Sequence, residues 1–242
     1  MTTIIKTKTK YGDISFYCPE GKMPEKRAKT LLVKEKDTIE WIDSFNKKDI
    51  FWDIGANVGC YSLYAGSKGI RTYSFEPESW NYRLLNKNIQ INNLDNKILA
   101  FCIAFNNITK IDFFNLSSLV PAYSLHCFGE ETDWKGRLFK PKFKQGMIGY
   151  SIDDFIENFD IRFPNHIKID VDGIEHKIIN GALKTLSHPK LKSILVEYLY
   201  SNKDQRDIEK IMANKGFKYH SRTKKLSGKF PAIGNHIFRR DI

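Results

Sequence analysis

Residues 50–59 read Ile-Phe-Trp-Asp-Ile-Gly-Ala-Asn-Val-Gly and decide the fold of this chain of 242 residues. An apolar run ends in Asp53, and two glycines, Gly55 and Gly59, follow it. Glu76 comes 23 residues after Asp53, at the end of a second apolar run. This order predicts a strand, a glycine-rich turn, a helix and a second strand that ends in an acid. Such a unit is typical of sites that hold a nucleoside-bearing cofactor at the carboxyl ends of parallel strands.

The glycine spacing distinguishes between classes of cofactor. A dinucleotide site reads G-x-G-x-x-G and leaves backbone N–H groups for a pyrophosphate. Here the pattern is D-x-G-x-x-x-G, and the Asp53 carboxylate would repel a pyrophosphate but suit an ammonium group. We therefore expect S-adenosylmethionine, which has no phosphate, with Glu76 accepting hydrogen bonds from both ribose hydroxyls. The alternative is that Asp53 and the glycines only form a strand-to-helix turn.

Composition indicates a globular chain. Apolar residues make up 41% of it, and no apolar run approaches the roughly 20 residues that span a membrane. The first residues lack the apolar segment of a signal peptide. The four cysteines form no C-x-x-C pair, which favours free thiols in a reducing cytoplasm over disulfides or a zinc site.

The net charge of +11 has two interpretations. Basic chains are typical of proteins that bind nucleic acids or anionic substrates. The lysines are dispersed, however, and a composition rich in Lys, Asn and Ile produces this charge without selecting a ligand. Among specific partners, we expect a nucleotide-linked or phosphorylated small molecule before a nucleic acid.

Strand and helix signals alternate from residue 50 onward, which predicts an α/β fold. Strands are expected at 49–54, 70–75, 97–103, 110–115, 166–171, 192–199, 217–220 and 234–240. Helices are expected at 58–68, 78–92, 151–159, 173–186 and 203–215. We expect one domain over residues 1–242, in which residues 1–48 cap a catalytic core of residues 49–242. In this cap, residues 4–17 form a hairpin turned at Gly12-Asp13, and residues 24–46 form a helix.

Residues 117–150 interrupt the alternation and show no clear periodicity. A long connection of this kind in a compact domain is usually either a functional loop or disordered. Its many aromatic residues favour order, so we interpret it as an insert that binds the acceptor. The alternative is a loop that only packs on the sheet.

Residues 166–175 form a second informative run, His-Ile-Lys-Ile-Asp-Val-Asp-Gly-Ile-Glu. An apolar strand ends in Asp170, and Asp172 follows at once. If this strand is central, both acids face the same crevice as Gly55 and Glu76. We favour a site role for Asp170, whereas capping of the next helix explains Asp172 equally well.

Together these segments resemble the FkbM-type S-adenosylmethionine-dependent methyltransferases. The matching pieces lie within roughly residues 50–200 and are residues 53–59, Phe75-Glu76-Pro77, residues 168–175 and Val196-Glu197. The family usually carries Glu where Asp172 stands here, which shortens the reach of this carboxylate. The N-terminal segment, the insert and the C-terminus are not covered, so acceptor specificity is not carried over.

The resemblance implies a Rossmann-like sheet of seven strands, mostly parallel with an antiparallel last strand, flanked by helices. It also implies O-methylation, often of sugars or other small-molecule hydroxyls. The positions expected to contact the cofactor are Asp53, Gly55, Asn57 and Gly59 at the methionine end, and Glu76, Pro77 and Ala104 at the nucleoside. Of these, Ala104 is placed near the adenine by strand order rather than by a motif.

Methyl transfer to oxygen requires a hydroxyl held in line with the leaving sulfur and a base that takes its proton. Asp170 is the preferred catalytic residue, followed by Glu197 and Asp172. His126 and His236 are weaker candidates, because an isolated histidine is more often structural. A divalent metal at Asp170 and Asp172 is not favoured, because two acids supply too few oxygen ligands.

Three functions are therefore compared. The preferred one is an S-adenosylmethionine-dependent O-methyltransferase that acts on a hydroxyl of a sugar, nucleotide sugar, glycan or other small molecule. The charge keeps an RNA or other nucleic-acid ribose methyltransferase open, whereas base amino methylation is disfavoured because an Asn/Asp-Pro-Pro-aromatic motif is absent. The third is a non-catalytic nucleotide-binding Rossmann module.

Overall fold

Strands and helices alternate along the part of the chain that the computed structural model describes, residues 3–19, 22–133, 135–199, 203–224 and 233–241. The strands are β1 (Thr3–Thr9), β2 (Gly12–Cys18), β3 (Ile50–Ile54), β4 (Arg71–Phe75), β5 (Ile98–Phe101), β6 (Ala104–Phe105), β7 (Lys110–Leu116), β8 (Cys127–Phe128), β9 (Phe143–Tyr150), β10 (His166–Ile169), β11 (Ser193–Leu199), β12 (Lys218–Lys224) and β13 (Ile233–Arg239). The helices are α1 (Lys22–Thr30), α2 (Lys36–Asp43), α3 (Cys60–Ser67), α4 (Ser79–Ile91), α5 (Ile152–Asn158), α6 (Glu175–Asn180), α7 (Leu183–Ser187) and α8 (Lys203–Asn214). Among these helices, none has the length and apolar character needed to cross a bilayer.

The central sheet has seven strands in the order β12-β13-β11-β10-β3-β4-β5. Strands β5, β4, β3, β10 and β11 are parallel, and β13 is antiparallel to both of its neighbours. The expected mostly parallel sheet with an antiparallel last strand is confirmed. The direction in which the chain adds strands reverses between β3 and β10, and such a switch point is where open α/β sheets bind ligands.

The two strands at this switch point are buried on both faces. Every residue of β3 and β10 is buried, as expected for parallel strands covered by helices. Alternate side chains of β3 enter different core clusters, with Trp52 and Ile54 in one and Phe51 in the other. Asp53 is opposite Lys168 of β10 in the register, so two charged residues meet inside an otherwise apolar layer.

The N-terminal hairpin is present, but its turn was placed wrongly. Thr9 pairs with Gly12, so Lys10 and Tyr11 form a two-residue turn, whereas the sequence predicted a turn at Gly12-Asp13. The single helix expected over residues 24–46 is also wrong, because the chain forms α1 and α2 instead. Glu35 leaves the helical conformation before α2, with a φ of −139°, and its carboxylate is buried in the protein.

A second sheet of four strands, in the order β6-β9-β7-β8, was not predicted as a unit. Strand β7 agrees with the strand expected at 110–115. The insert over residues 117–150, in which the sequence shows no clear periodicity, contributes β8 and β9. The alternation in β9 is obscured because it exposes Phe143 and Ile148 and also contains two glycines. Residue 134 of the insert lies outside the described residues.

Two element boundaries differ from expectation. The strand expected at 97–103 ends at Phe101, and Ala104 and Phe105 join the second sheet instead. The helix expected at 173–186 is divided into α6 and α7 at Gly181. A Cβ atom at Gly181 would lie 2.3 Å from the backbone oxygen of Asn106, so the chain needs a glycine where it passes this loop.

Candidate active site

A cavity opens at the carboxyl ends of β3, β4, β10 and β11. Most residues predicted to contact a cofactor or acceptor line it, namely Gly55, Asn57, Glu76, Pro77, Asp170, Asp172 and Glu197. A second cavity adjoins it, and the lining residues that the two share are Arg27, Lys34, Gly55, Asn57 and Asp170. We call these two cavities together the active-site cleft. Sequence analysis identified neither Arg27 nor Lys34.

The glycine-rich turn brings two strands into close contact. Gly55 has a φ of +80°, and a Cβ atom there would lie 2.0 Å from the backbone oxygen of Asp170. No side chain fits such a gap, so the turn after β3 is held directly against the end of β10. Gly59 has a φ of +89°, and a Cβ atom there would lie 2.5 Å from Leu85 of α4. Gly59 therefore lets α3 approach α4.

Glu76 is fixed at the end of β4 by backbone donors. Its side chain accepts hydrogen bonds from the backbone nitrogens of Asn57, at 2.7 Å, and Glu78, at 2.9 Å. The residue is 5% exposed, and burial raises the pKa of its carboxyl to about 8. Because Asn57 belongs to the glycine-rich turn, this carboxylate also ties the ends of β3 and β4 together.

Three predicted residues lie outside the lining of the cleft as the described residues form it. Asp53 is fully buried behind the turn, where its Oδ2 accepts a hydrogen bond from the Ser62 hydroxyl at 2.6 Å. Burial raises the pKa of the Asp53 carboxyl, and the charge of Lys168 opposes that rise. Ala104 is buried in the core between the two sheets, and Gly59 is the N-cap residue that precedes α3.

Lys168 is the main charged residue of the site that sequence analysis missed. Its side chain is 1% exposed, and its Nζ lies 2.7 Å from Oδ2 of Asp170. Burial alone would lower the pKa of Lys168, but Asp170, Asp53 and Glu35 together hold it above its ordinary value. A lysine inside an apolar strand, two positions before an acid, was a signal that could have identified this ion pair.

Glu35 brings a further buried carboxylate from the N-terminal segment. Its Oε2 accepts a hydrogen bond from Nδ2 of Asn235 at 2.8 Å, and Lys34 pairs with its Oε1 at 2.9 Å. Carboxylate oxygens of Glu35, Asp170 and Glu197 all lie within 4.8 Å of one another. Close acids of this kind favour a cationic ligand.

A metal ion is one cation that these acids could bind, but the set fits it poorly. The positive charges of two nearby lysines compete with such an ion for these carboxylates. Lys168 and Lys34 already lie against Asp170 and Glu35. The arrangement therefore suits an organic cation better than a bare divalent ion.

Asp172 fastens part of the insert over the cleft. Its Oδ2 accepts a hydrogen bond from the backbone nitrogen of Leu125 at 2.6 Å. Nearby, the side chains of Asn57 and Asn81 both donate to the backbone oxygen of Tyr123, at 2.9 and 3.2 Å. We call residues 120–126 the cover loop, because Tyr123, Ser124 and His126 from it line the cavity.

The alternative role of Asp172 as a helix cap is not what the structure shows. Glu175 accepts the hydrogen bonds from the backbone nitrogens of Val171 and Gly173 at this turn. Burial raises the pKa of the Glu175 carboxyl to about 7. Asp172 itself has a φ of +66°, a strained conformation for a residue with a side chain.

The two histidines differ in position. His126 lines the cleft, and its Nδ1 accepts a hydrogen bond from the backbone nitrogen of Ser117 at 3.2 Å. Burial lowers the pKa of His126 to about 4, so this ring is neutral near pH 7. His236 is buried in β13 and stacks on Tyr198 with ring centroids 3.8 Å apart, which is a packing role.

Comparison with known sequences gives a family match over most of the chain. A sequence model of the methyltransferase FkbM domain matches residues 53–219. Hexuronic acid methyltransferase AglP of Haloferax volcanii is 21% identical over 180 residues, which cover 74% of this chain and 68% of that protein.

Solved structures share the fold at low sequence identity. Methyltransferase FkbM from Methylobacillus flagellatus has a TM-score of 0.51 at 16% identity, covering 79% of this chain and 44% of that chain. The M. jannaschii tRNA m1G37 methyltransferase has a TM-score of 0.54 at 14% identity, covering 99% of this chain and 57% of that chain. This chain thus spans less than two thirds of both proteins. At these identities the similarity establishes the fold alone.

Proposed function

The chain belongs to the FkbM methyltransferase family, and we propose that it is an S-adenosylmethionine-dependent O-methyltransferase whose acceptor is a hydroxyl of a sugar, nucleotide sugar or glycan. The observation that carries this proposal is the charge of the active-site cleft. Glu35, Asp170 and Glu197 place three carboxylates within 4.8 Å of one another, and two lysines pair with them. These close carboxylates complement the sulfonium and ammonium groups of this donor.

The residues present fit the donor at both of its ends. Glu76 holds a fixed carboxylate at the end of β4, where ribose hydroxyls can donate to it. Gly55 and Asn57 belong to the glycine-rich turn, which has no side chain at Gly55. The amino-acid tail of the donor can lie along the backbone of this turn. The bound donor supplies an electrophilic methyl group on its sulfonium sulfur.

The acids at the ends of β10 and β11 suit the acceptor side of the reaction. A hydroxyl loses its proton as its oxygen bonds to the methyl carbon, and a carboxylate within hydrogen-bond reach can take that proton. Asp170 is the preferred base, because the Lys168 ammonium at 2.7 Å fixes its position. Glu197, at the next strand end, is the second candidate. Asp172 is assigned to holding the cover loop, through its bond to Leu125.

The sugar class of acceptor is supported by a relative. The protein from Haloferax volcanii that is 21% identical to this chain is named a hexuronic acid methyltransferase. The test is the mass of the products after incubation of the enzyme and donor with nucleotide sugars and uronic-acid glycans. We expect one acceptor to gain a single methyl group. A panel in which every sugar stays unmodified, while another compound class is methylated, would refute the sugar assignment.

The role of Asp170 is tested with a matched pair of variants. Asp170→Asn should lower turnover about 100-fold or more, because the proton acceptor is lost, while donor binding changes little. Glu157→Gln, in an exposed carboxylate on α5 whose side chain is 67% accessible, should leave turnover unchanged. Full activity in Asp170→Asn would transfer the base assignment to Glu197.

The net charge of +11 favours a second candidate, a methyltransferase for RNA ribose. This candidate predicts tight RNA binding that weakens steeply with salt, because phosphate contacts release counterions. It also predicts methyl transfer to RNA. Weak RNA binding without methylation, beside a methylated sugar, would exclude it.

A further inference from the structure

Arg27 connects the N-terminal segment to the active-site cleft. It lies on α1 and lines both cavities, beside Gly55 and Asn57 of the glycine-rich turn. Its Nε donates a hydrogen bond to the backbone oxygen of Ala122 at 2.8 Å. The guanidinium is therefore held between α1 and the cover loop, at the edge of the predicted donor site.

The other cations of the cleft are already paired. Lys168 lies 2.7 Å from Asp170, and Lys34 lies 2.9 Å from Glu35. Arg27 forms no ion pair with any acid in the described part of the chain, and Nε is the only guanidinium nitrogen with a hydrogen bond there. Its terminal nitrogens thus stay available for a carboxylate, a group that arginine binds through two parallel N–H bonds.

We propose that Arg27 binds the carboxylate of the donor's amino-acid tail and so makes α1 part of the donor site. This inference rests on the proposed use of S-adenosylmethionine. Among the acids of the cleft, a ligand carboxylate needs a cation close by, since repulsion would otherwise expel it. With Glu76 at the ribose, the tail extends along Gly55 and Asn57, which are the turn residues beside Arg27.

An anionic group on the acceptor is the competing ligand for Arg27. The acceptor is expected at the ends of β10 and β11, near Asp172 and Glu197. Arg27 lines the first cavity together with Asp172 and Glu197, and the second together with Cys60 and Tyr61 of α3. Gly55 and Asn57 of the turn accompany Arg27 in both cavities, whereas Asp172 and Glu197 do so only in the first, which favours the donor.

The test compares two ligands that differ only in the carboxylate, S-adenosylmethionine and its decarboxylated form. Calorimetry on the full chain should show that the wild type prefers S-adenosylmethionine about 10- to 100-fold, as expected for a charge-assisted pair. Arg27→Met should lose most of that preference, because its affinity for S-adenosylmethionine falls while its affinity for the decarboxylated form changes less than about twofold. Arg27→Lys should recover part of the preference.

Lys29→Met is the matched control, because Lys29 lies on the same helix with 61% of its side chain exposed. It should retain the full preference. Equal weakening of both ligands by Arg27→Met would show a structural role and overturn the assignment. Two other results would also overturn the assignment. In the first, Lys34→Met loses the preference for S-adenosylmethionine and Arg27→Met keeps it. In the second, Arg27→Met raises the KM for the acceptor but keeps the preference between the two ligands. If the wild type binds neither ligand, the proposed donor itself is wrong, and that result is distinct from the others.

Discussion

Replacement of Glu76 by glutamine should make the ligand-free protein more stable at neutral pH while it damages donor binding. Burial raises the pKa of the Glu76 carboxyl from its ordinary value of 4.5 to about 8. Between these values the folded state holds a proton that the unfolded state releases, so the stability of the wild type falls as pH rises. The cost of this carboxyl is about 0.8 kcal/mol at pH 5 and about 3 kcal/mol at pH 7.

The glutamine variant removes this cost but loses a hydrogen bond. The Glu76 carboxylate accepts hydrogen bonds from the backbone nitrogens of Asn57 and Glu78, whereas an amide has only one acceptor oxygen. The loss of one of these hydrogen bonds costs about 1 kcal/mol. Glu76→Gln should therefore match the wild type at pH 5 and exceed it by about 2 kcal/mol at pH 7. The advantage should grow by about 1.2 kcal/mol per pH unit between pH 5 and pH 7.5.

Urea unfolding without donor, at pH 5, 6, 7 and 7.5, measures this difference. Glu157→Gln on the exposed face of α5 serves as the control and should show no such slope. A difference between Glu76→Gln and the wild type that stays constant with pH would refute the argument. Binding of the donor should reverse the effect, because ribose hydroxyls favour the ionised Glu76. Wild-type binding near pH 7 should then release a proton and strengthen toward pH 8, and the variant should bind about 10- to 100-fold more weakly.

Three further substitutions test the framework of the site. Gly55→Ala should destabilise the fold by about 3 kcal/mol or more, because its Cβ would lie 2.0 Å from a backbone oxygen. Thermal unfolding measures this loss, and unchanged stability would contradict the close contact of the turn with β10. Lys168→Met should cost about 3–5 kcal/mol because it leaves acids buried without their cation, whereas Lys184→Met, at a side chain 80% exposed, should cost little in the same urea titration. Asp172→Ala releases the bond to Leu125 and should raise the acceptor KM more than the donor KM in steady-state kinetics. Equal effects on the two KM values would argue against its role in the cover loop.

Local sequence predicted the centre of the site because the signals are local. The run over residues 50–59 and the run over residues 166–175 each place their acids and glycines within a few positions of a strand end. Parallel pairing of β3 with β10 then brings Gly55 to the backbone of Asp170. Glu76 was predicted for the same reason, since it ends the next strand.

Residues from the N-terminal segment were not predictable in this way. Glu35 reaches Asn235 across 200 positions of sequence, and Arg27 reaches Ala122 across 95. No motif records such contacts, because they depend on how the segment packs on the finished sheet. The prediction of a single helix over residues 24–46 was wrong for the same reason, because burial of Glu35 overrides helix propensity. Lys168 differs, because a lysine within a buried strand already indicates a buried ion pair.

The most direct test of the central claim is calorimetric titration of the wild-type chain with S-adenosylhomocysteine, the demethylated form of the donor, and separately with NAD. The arrangement of Glu76 and the glycine-rich turn predicts saturable binding of S-adenosylhomocysteine and no heat with NAD. Binding of NAD without binding of S-adenosylhomocysteine would contradict the account and identify the cleft as a dinucleotide site.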